Sequence, residues 1–203
     1  MKNIWFTSDT HYSHSNIAGE SVSRWQRGYR DFNSVHEMNM ALVNGINKYV
    51  KEDDILYHLG DWSFGGVHNI FQFRNLIICK NVHLILGNHD QHIVDKEIKY
   101  HDTSFNPIEL FSSVNQVLEV SHGKHKFFMS HYPHLSWHHA SKGVIMLHGH
   151  ENGMFNNLNQ NTLRMDVGID SAKMILGDFR PFSIEEVIDL NLRKKVIPIK
   201  HIT

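Results

Sequence analysis

The sequence predicts an α/β fold with enough strands for two β-sheets, and three observations support this. Short apolar runs, each too short for a good helix and each closed by glycine or a polar residue, recur along the chain. Segments with apolar residues at helical spacing alternate with them. The chain has 203 residues, 41% of them hydrophobic and 20% charged, so residues 1–203 fit one domain with a substantial core.

Five apolar runs predict the main strands: residues 3–8, 54–59, 82–86, 126–130 and 144–147. Residues 114–120 and 163–169 are further strand candidates. Helices are predicted at residues 35–50, 67–78 and 184–190, and Ser34-Val35-His36-Glu37 matches a capping box at the start of the first. The polar segment 14–33 lacks periodicity and is interpreted as a long surface excursion, a kind of loop that is often functional.

Charge and composition narrow the classes of function. The formal net charge of −1 provides no global basic field for nucleic acid, although Arg24, Arg27 and Arg30 could form a local patch. The single cysteine, Cys79, lies in an apolar run and is predicted to be a buried core residue rather than a reactive thiol. No signal peptide or membrane span is recognisable, which predicts a cytoplasmic protein without a membrane partner.

Potential metal ligands stand where the five main strands end. They are Asp9 with His11, Asp61, Asn88 with His89, His131, and His148 with His150. In open α/β sheets, ligands bind outside the carboxyl ends of the strands, so these residues can converge on one point. Carboxylate, imidazole and amide ligands together suit manganese, iron, zinc, nickel or cobalt better than calcium.

In order, Asp9-Thr10-His11, Gly60-Asp61, Gly87-Asn88-His89-Asp90, Ser130-His131 and Gly149-His150 resemble the motif series of the calcineurin-like metallophosphoesterases. The resemblance implies a four-layer α/β/β/α sandwich with two mixed sheets and two divalent metal ions between the strand-end loops. Manganese is the first choice of metal, with nickel, iron, zinc and cobalt as alternatives. The implied ligands are Asp9 and His11 for the first ion, Asp61 for both ions, and Asn88, His131 and His150 for the second. His89 would stabilise the transition state and donate a proton, and Asp90 would orient His89.

The chain departs from the family pattern at one position. The last family motif is usually Gly-His-x-His, with its second histidine often serving the first metal, but here Asn152 stands at that place. Because an asparagine carbonyl is a weak ligand, the first metal is expected to be looser, completed by water, or exchangeable. His148, on the other side of Gly149, is an alternative ligand.

The predicted reaction is hydrolysis of a phosphodiester or phosphomonoester, with a small nucleotide-like substrate preferred over a protein. Two cations about 3.5–4 Å apart neutralise the phosphate and lower the pKa of a bridging water, so that the resulting hydroxide can attack in line. His14, Arg24 and Arg27 are candidate substrate contacts, and Trp25 could stack on a base.

Two alternatives stay open. A nuclease should show a basic track, which the net charge of −1 argues against. A non-catalytic metal-binding or protein-interaction module on the same fold would not need His89, whereas Asn152 mildly favours such a module.

Overall fold

The computed structural model describes residues 2–24, 30–94, 98–100 and 103–197. Its strands are β1 (Ile4–Thr7), β2 (Ile55–His58), β3 (Asn81–Ile85), β4 (Ile98–Tyr100), β5 (Thr103–Phe105), β6 (Ser113–Asn115), β7 (Val117–His122), β8 (His125–Ser130), β9 (Ile145–His148), β10 (Arg164–Asp166) and β11 (Phe182–Ser183). Its α-helices are α1 (Val35–Tyr49), α2 (Val67–Leu76), α3 (Gln91–Val94), α4 (Ile169–Leu176) and α5 (Ile184–Leu192).

Two mixed sheets form the centre of the fold. The first has the order β11-β1-β2-β3-β6, in which only β11 runs antiparallel to its neighbour. The second has the order β10-β9-β8-β7, in which β7 is the antiparallel strand. A separate hairpin joins β4 and β5. The predicted α/β fold with two mixed sheets is confirmed, as are the five main strands to within about two residues at each end.

The core lies between the sheets and behind the first one. Phe6 of the first sheet packs against Phe127 of the second, with ring centroids 5.4 Å apart, in a buried cluster drawn from both sheets. On the other face of the first sheet, residues of α1 and α2 pack against β2 and β3 in a second cluster. On the other face of the second sheet, Phe128 and Met146 pack against Trp137. A complete four-layer sandwich stays a prediction.

Two predicted strands differ from the structure. Residues 114–120 were expected to form one strand, but β6 pairs with β3 of the first sheet and β7 pairs with β8 of the second. A short apolar run does not indicate which strand each of its halves will pair with. The change from the first sheet to the second at Gln116 is therefore decided by tertiary packing. The predicted strand 163–169 was too long: β10 ends at Asp166, whose side chain accepts a hydrogen bond from the Gly168 amide before α4 begins.

The predicted capping box at α1 is half formed. Ser34 accepts a hydrogen bond from the Glu37 amide (3.0 Å), but Glu37 in turn accepts from the amide of Asn33 rather than of Ser34. A complete capping box, which was not predicted, starts α5 at Ser183 and Glu186.

Cys79 is fully buried, as predicted, and burial raises the pKa of its thiol. Among the helices that the structure describes, none combines the length and apolar character needed to cross a bilayer.

Candidate metal centre

Three buried side chains from both sheets meet at the strand ends. Asp9 follows β1, Asp61 follows β2 and His131 follows β8. Each offers a ligand atom within 4.8 Å of the others, so this group could hold a metal ion. Residues more than 120 positions apart in the chain thus converge because the strands before them run parallel within each sheet and the sheets pack together.

The backbone around these side chains adopts an uncommon conformation. Seven non-glycine residues of the described ranges have positive φ, and five of them are predicted ligands: Asp9 (54°), His11 (47°), Asp61 (57°), His150 (69°) and Asn152 (48°). Non-glycine residues in this region carry a free-energy cost, and they concentrate at functional sites. The clustering supports a functional centre independently of any motif.

The glycines of the motifs allow the loops to approach the carboxylates. A Cβ atom on Gly87 would lie 2.2 Å from Asp61 Oδ1, and one on Gly149 would lie 2.3 Å from Asp9 Oδ2. These distances are shorter than any real contact, so only glycine fits at either position while the carboxylates stay in place. The Gly-Asn-His-Asp and Gly-His patterns therefore have a steric cause.

Asp9 is fully buried and only half satisfied. Its Oδ2 atom accepts hydrogen bonds from the Ser8 hydroxyl and from the His150 amide (2.9 Å). Its Oδ1 atom has no hydrogen-bond partner among the described residues. Burial, followed by the nearby charge of Asp166, raises the pKa of Asp9 well above its usual value. A bound cation near Oδ1 would supply the missing partner.

His11 faces both carboxylates. Its Nε2 atom lies 3.8 Å from Asp9 Oδ1 and 3.8 Å from Asp61 Oδ2, too far for hydrogen bonds. Burial, followed by the charge of Arg30, lowers the pKa of His11 well below the usual value for histidine. The ring is therefore neutral, and a neutral imidazole is the form that binds metals.

His131 presents a lone pair to two oxygen atoms. Its Nδ1 atom donates to the carbonyl oxygen of Leu59 (2.8 Å), and burial lowers its pKa, so the neutral ring has no proton on Nε2. That Nε2 atom lies 3.1 Å from Asn88 Oδ1 and 3.6 Å from Asp61 Oδ2. Three electron-rich atoms facing one another repel unless a cation lies between them.

Asp90 is buried and holds the backbone of two loops. Its carboxylate accepts hydrogen bonds from the amides of Gly87 (2.8 Å), Asp61 (2.8 Å) and Trp62 (2.9 Å). Burial raises its pKa to about 6, against the lowering effect of these bonds. Its oxygens thus position the loop of Asp61, and the predicted role of orienting the His89 ring stays a prediction.

The last motif lies beside the cluster. The His150 ring is 5.1 Å from that of His131, centroid to centroid, and the Asn152 amide donates to the His150 carbonyl (3.2 Å). His148 is fully buried with Nδ1 donating to Gly149 O and Nε2 accepting from Asn159. Because both of its nitrogens are engaged inside the fold, the alternative in which His148 replaces the missing histidine was wrong.

His89 and His14 line a cavity of about 740 Å³ next to the cluster, together with His11 and Asn152. The exposed His89 ring lies 5.8 Å from His11 between centroids, and the His89 amide donates to Asp61 Oδ1 (2.9 Å). The centroids of the His14 and Phe64 rings lie 3.8 Å apart, with the ring planes tilted by 44°. Both histidines are placed where a substrate in the cavity would meet them.

The predicted arginine contacts have different outcomes. Arg24 is exposed and its backbone amide donates to Asn16, whereas Arg27 and Trp25 lie outside the described residues. Arg30, grouped with them in the sequence, is buried. Its guanidinium group pairs with both oxygens of Asp170 and donates to the carbonyls of Asp9 and Thr10.

Arg30 therefore holds the backbone of the Asp9 loop. A fifth donor contact of Arg30, 3.6 Å long, goes to the sulfur of Met38, so its five N–H groups are all used. The possible local patch of Arg24, Arg27 and Arg30 therefore does not include Arg30. Arg30 lies in a polar segment, which gave no sign that it would be buried. Its role becomes clear only from its ion pair with the distant residue Asp170 on α4.

Asp166 is a buried residue of this region that was not predicted. Its carboxylate accepts hydrogen bonds from the amides of Gly153 (2.8 Å) and Gly168 (2.7 Å), and burial raises its pKa to about 6. Asp166 stands in the middle of the predicted strand 163–169, and that position gave no sign of its role.

No family model matches the chain. The chain is 27% identical over 203 residues to an uncharacterized protein of Methanocaldococcus jannaschii, in a match that covers 97% of this chain and 96% of that protein. It is 25% identical over 189 residues to the gene 66 protein of Mycobacterium phage D29, covering 84% of this chain and 89% of the phage protein. These relatives extend over almost the same length as this chain.

Among solved structures, a protein of unknown function from Aquifex aeolicus has a TM-score of 0.61 at 17% identity, covering 94% of this chain and 100% of that one. This similarity shows a common fold alone. A conserved uncharacterized protein of Streptococcus pneumoniae, described as a predicted phosphoesterase, has a TM-score of 0.32 at 15% identity, covering 74% and 63%. A TM-score this low supports no argument about the present chain.

Proposed function

We propose that this protein is a metal-dependent phosphoesterase of the calcineurin-like type, hydrolysing a phosphodiester or phosphomonoester of a small, nucleotide-like alcohol. One observation carries the proposal. The unprotonated Nε2 atom of His131 faces the oxygens of Asn88 and Asp61 at 3.1 and 3.6 Å, which leaves a place for a cation between them. The Asp9 Oδ1 atom, buried without a partner among the described residues, belongs to the same cluster.

The chemistry of these ligands fits divalent transition metals. Buried carboxylates and neutral imidazoles bind manganese, iron, nickel, cobalt or zinc, and manganese is our first choice. We assign Asp9 and His11 to one ion, Asp61 to both, and Asn88, His131 and His150 to the other. Asn152 would be a weak ligand of the first ion.

Two bound divalent cations would supply positive charge to the phosphate and activate a water molecule. The chain itself supplies the remaining functions. His89, exposed beside His11 in the cavity lining, is placed to give a proton to the leaving oxygen, an effect worth about 10²–10⁴ in rate. Asp90 and Arg30 fix the backbones that carry Asp61 and Asp9, so the ligands need little reorganisation.

The direct test is a panel of phosphate esters assayed with metal-stripped protein that has been reloaded separately with manganese, nickel, zinc and magnesium. We expect turnover only after reloading, with manganese among the effective ions. Calorimetric titration of the same ions should show binding to the stripped protein. Full activity of the stripped protein would overturn the proposal.

The His89→Ala variant separates an enzyme from a non-catalytic module on the same fold. We expect turnover to fall about 10²–10⁴-fold while calorimetry shows unchanged metal affinity, because His89 is not an assigned ligand. His36→Ala, on the exposed surface of α1, is the matched control and should retain full activity. Equal activity in the His89 variant would remove its assigned role.

A nuclease remains the competing enzyme. It would cleave oligonucleotides with strongly salt-dependent affinity, whereas we expect small esters to be preferred because the chain carries a net charge of only −1.

A further inference from the structure

The cavity beside the metal centre extends well beyond the predicted catalytic residues. Its volume of about 740 Å³ lies within the usual range of roughly 300–1,000 Å³ for small-molecule sites. A phosphate group alone would leave most of it empty. The lining also contains an apolar group with no part in the proposed chemistry: Ile17, Phe32, Met154, Met174 and Phe179.

The two aromatic rings of this group are held in place. Phe32 and Phe179 pack with centroids 5.3 Å apart, and Arg30 and Lys173 each place a cation within 6 Å of the Phe179 centroid. Arg30 is itself fixed by Asp170. The rings therefore form a fixed apolar surface, hereafter the aromatic wall.

The two methionines are exposed and adaptable. Met154 is 70% exposed and Met174 is 65% exposed, although both line the cavity. A thioether has several rotatable bonds and makes favourable contacts with aromatic rings. Exposed methionines beside an aromatic wall suit a ligand with a flat apolar group.

The charges in the lining balance. Arg30 is paired with Asp170, and the Lys173 ammonium donates to the carbonyl oxygen of Gly177 at 2.9 Å. Asp31 adds one exposed carboxylate. A polyanionic strand would need an excess of cations, which the described lining does not provide. The chemistry favours an uncharged group.

We infer that the aromatic wall and the two methionines bind the alcohol part of the ester and select an aryl or nucleobase group over a small alkyl group. This inference rests on the proposed function, because it places the phosphate at the metal centre and the ring in the adjoining cavity. It adds Phe32, Phe179, Met154 and Met174 as residues that determine specificity without taking part in the reaction.

The test measures binding rather than turnover. Phenylphosphonate and methylphosphonate carry the same anionic group on a bond that is not a phosphate ester, and calorimetry gives their affinities for the manganese-reloaded protein. We expect phenylphosphonate to bind about tenfold more tightly, because the phenyl ring is buried against apolar and aromatic side chains. Equal affinities, or no binding of either probe, would overturn the inference.

Variants locate the preference. Phe179→Ala and the double variant Met154→Ala/Met174→Ala should each reduce the preference for phenyl severalfold and leave methylphosphonate affinity unchanged. Phe179→Leu, which keeps apolar volume but loses the ring, should give an intermediate preference and guards against misfolding of the alanine variant. Ile175→Ala is the control, because Ile175 follows Met174 on α4 and lines a different cavity. If all of these variants kept the preference of the parent protein for phenylphosphonate, the phenyl ring would have to bind outside the aromatic wall.

The two proposals fail in different ways. Metal-dependent turnover without any phenyl preference would leave the phosphoesterase standing and remove the aromatic wall as a specificity determinant. A phenyl preference that Phe179→Ala abolishes, in a protein that hydrolyses none of the esters, would do the reverse.

Discussion

In a loop that follows a strand of the first sheet, the buried carboxylate of Asp90 accepts three backbone hydrogen bonds, whereas at the end of β10 in the second sheet the buried carboxylate of Asp166 accepts two. Burial raises the pKa of both to about 6. One of the amides held by Asp90 belongs to Asp61 itself, whereas Asp166 holds Gly153 and Gly168, which are not predicted ligands.

This difference shows how the site is built. Asp9, His11 and Asp61 follow strands of the first sheet, and His131 and His150 follow strands of the second. Asp90 holds the Asp61 loop through a backbone amide, and Arg30 holds the Asp9 loop through a backbone carbonyl. Because a backbone amide has a fixed geometry relative to the Cα–Cβ bond of its own residue, an aspartate that holds the amide also fixes the point from which that side chain extends. Asp90 should therefore act on the site directly, and Asp166 mainly on stability.

The largest expected effect is at Asp61, the residue that we assign to both metal ions. Asp61→Asn removes the charge that lies 3.6 Å from His131 and 3.8 Å from His11. Outer residues of metal sites typically contribute about 10–100-fold to affinity, so loss of this central ligand should exceed that range. Calorimetric manganese titration measures it, with the exposed Asp53→Asn as control. Unchanged affinity would show that Asp61 is not a ligand.

The next prediction compares the two loop-holding aspartates. Asp90→Asn should weaken manganese binding about 10–100-fold, because asparagine offers one acceptor oxygen instead of two to the three amides that hold the Asp61 loop. Asp166→Asn should lower the free energy of unfolding by about 1–3 kcal/mol, since one buried amide loses its partner, while manganese affinity changes much less. Paired calorimetry and chemical denaturation measure both. Equal losses of affinity would remove the distinction between the loops.

Arg30 connects the Asp9 loop to α4, which follows the second sheet. Arg30→Lys keeps the charge but loses the planar guanidinium group that donates hydrogen bonds to Asp170 and to two carbonyl oxygens. We therefore expect the unfolding free energy to fall by about 2–3 kcal/mol. Denaturant unfolding measures it. Exposed Arg24→Lys is the matched control and should unfold like the parent protein.

The smallest effect concerns pH. In metal-free protein, the pKa of Asp166 is about 6 in the folded state against 3.8 ordinarily, so the folded state binds more protons between these values. The contribution of Asp166 to stability should therefore fall as pH rises from about 4 to about 6, by about 2 kcal/mol at most. Unfolding of the parent and of Asp166→Asn across this range measures the difference. A contribution that grows with pH would contradict the sign.

The ligands of the site were easier to predict from the sequence than the residues that support them. Predicted ligands stand at strand ends, and Asp61, Asn88 and His150 directly follow a glycine. Both signals are local, so the residue pattern alone predicts that Asp9, Asp61 and His131 meet. Arg30 and Asp166 could not be assigned in this way. Their partners lie far away in the sequence or on backbone amides, and a buried arginine in a polar segment looks the same as a solvated one.

The sequence by itself determined the alternation of strands and helices and the potential ligands that follow the five main strands, because hydrophobic periodicity and strand-ending polar residues are properties of neighbouring residues. The tertiary structure decided that β6 joins the first sheet while β7 joins the second. It also decided that the buried His148 ring forms hydrogen bonds with Gly149 and Asn159. It likewise decided that Arg30 binds backbone carbonyl oxygens and that a cavity with an aromatic wall adjoins the site. Each of these features depends on which distant surfaces pack together. The free energy of that packing is shared among residues that no local sequence pattern connects.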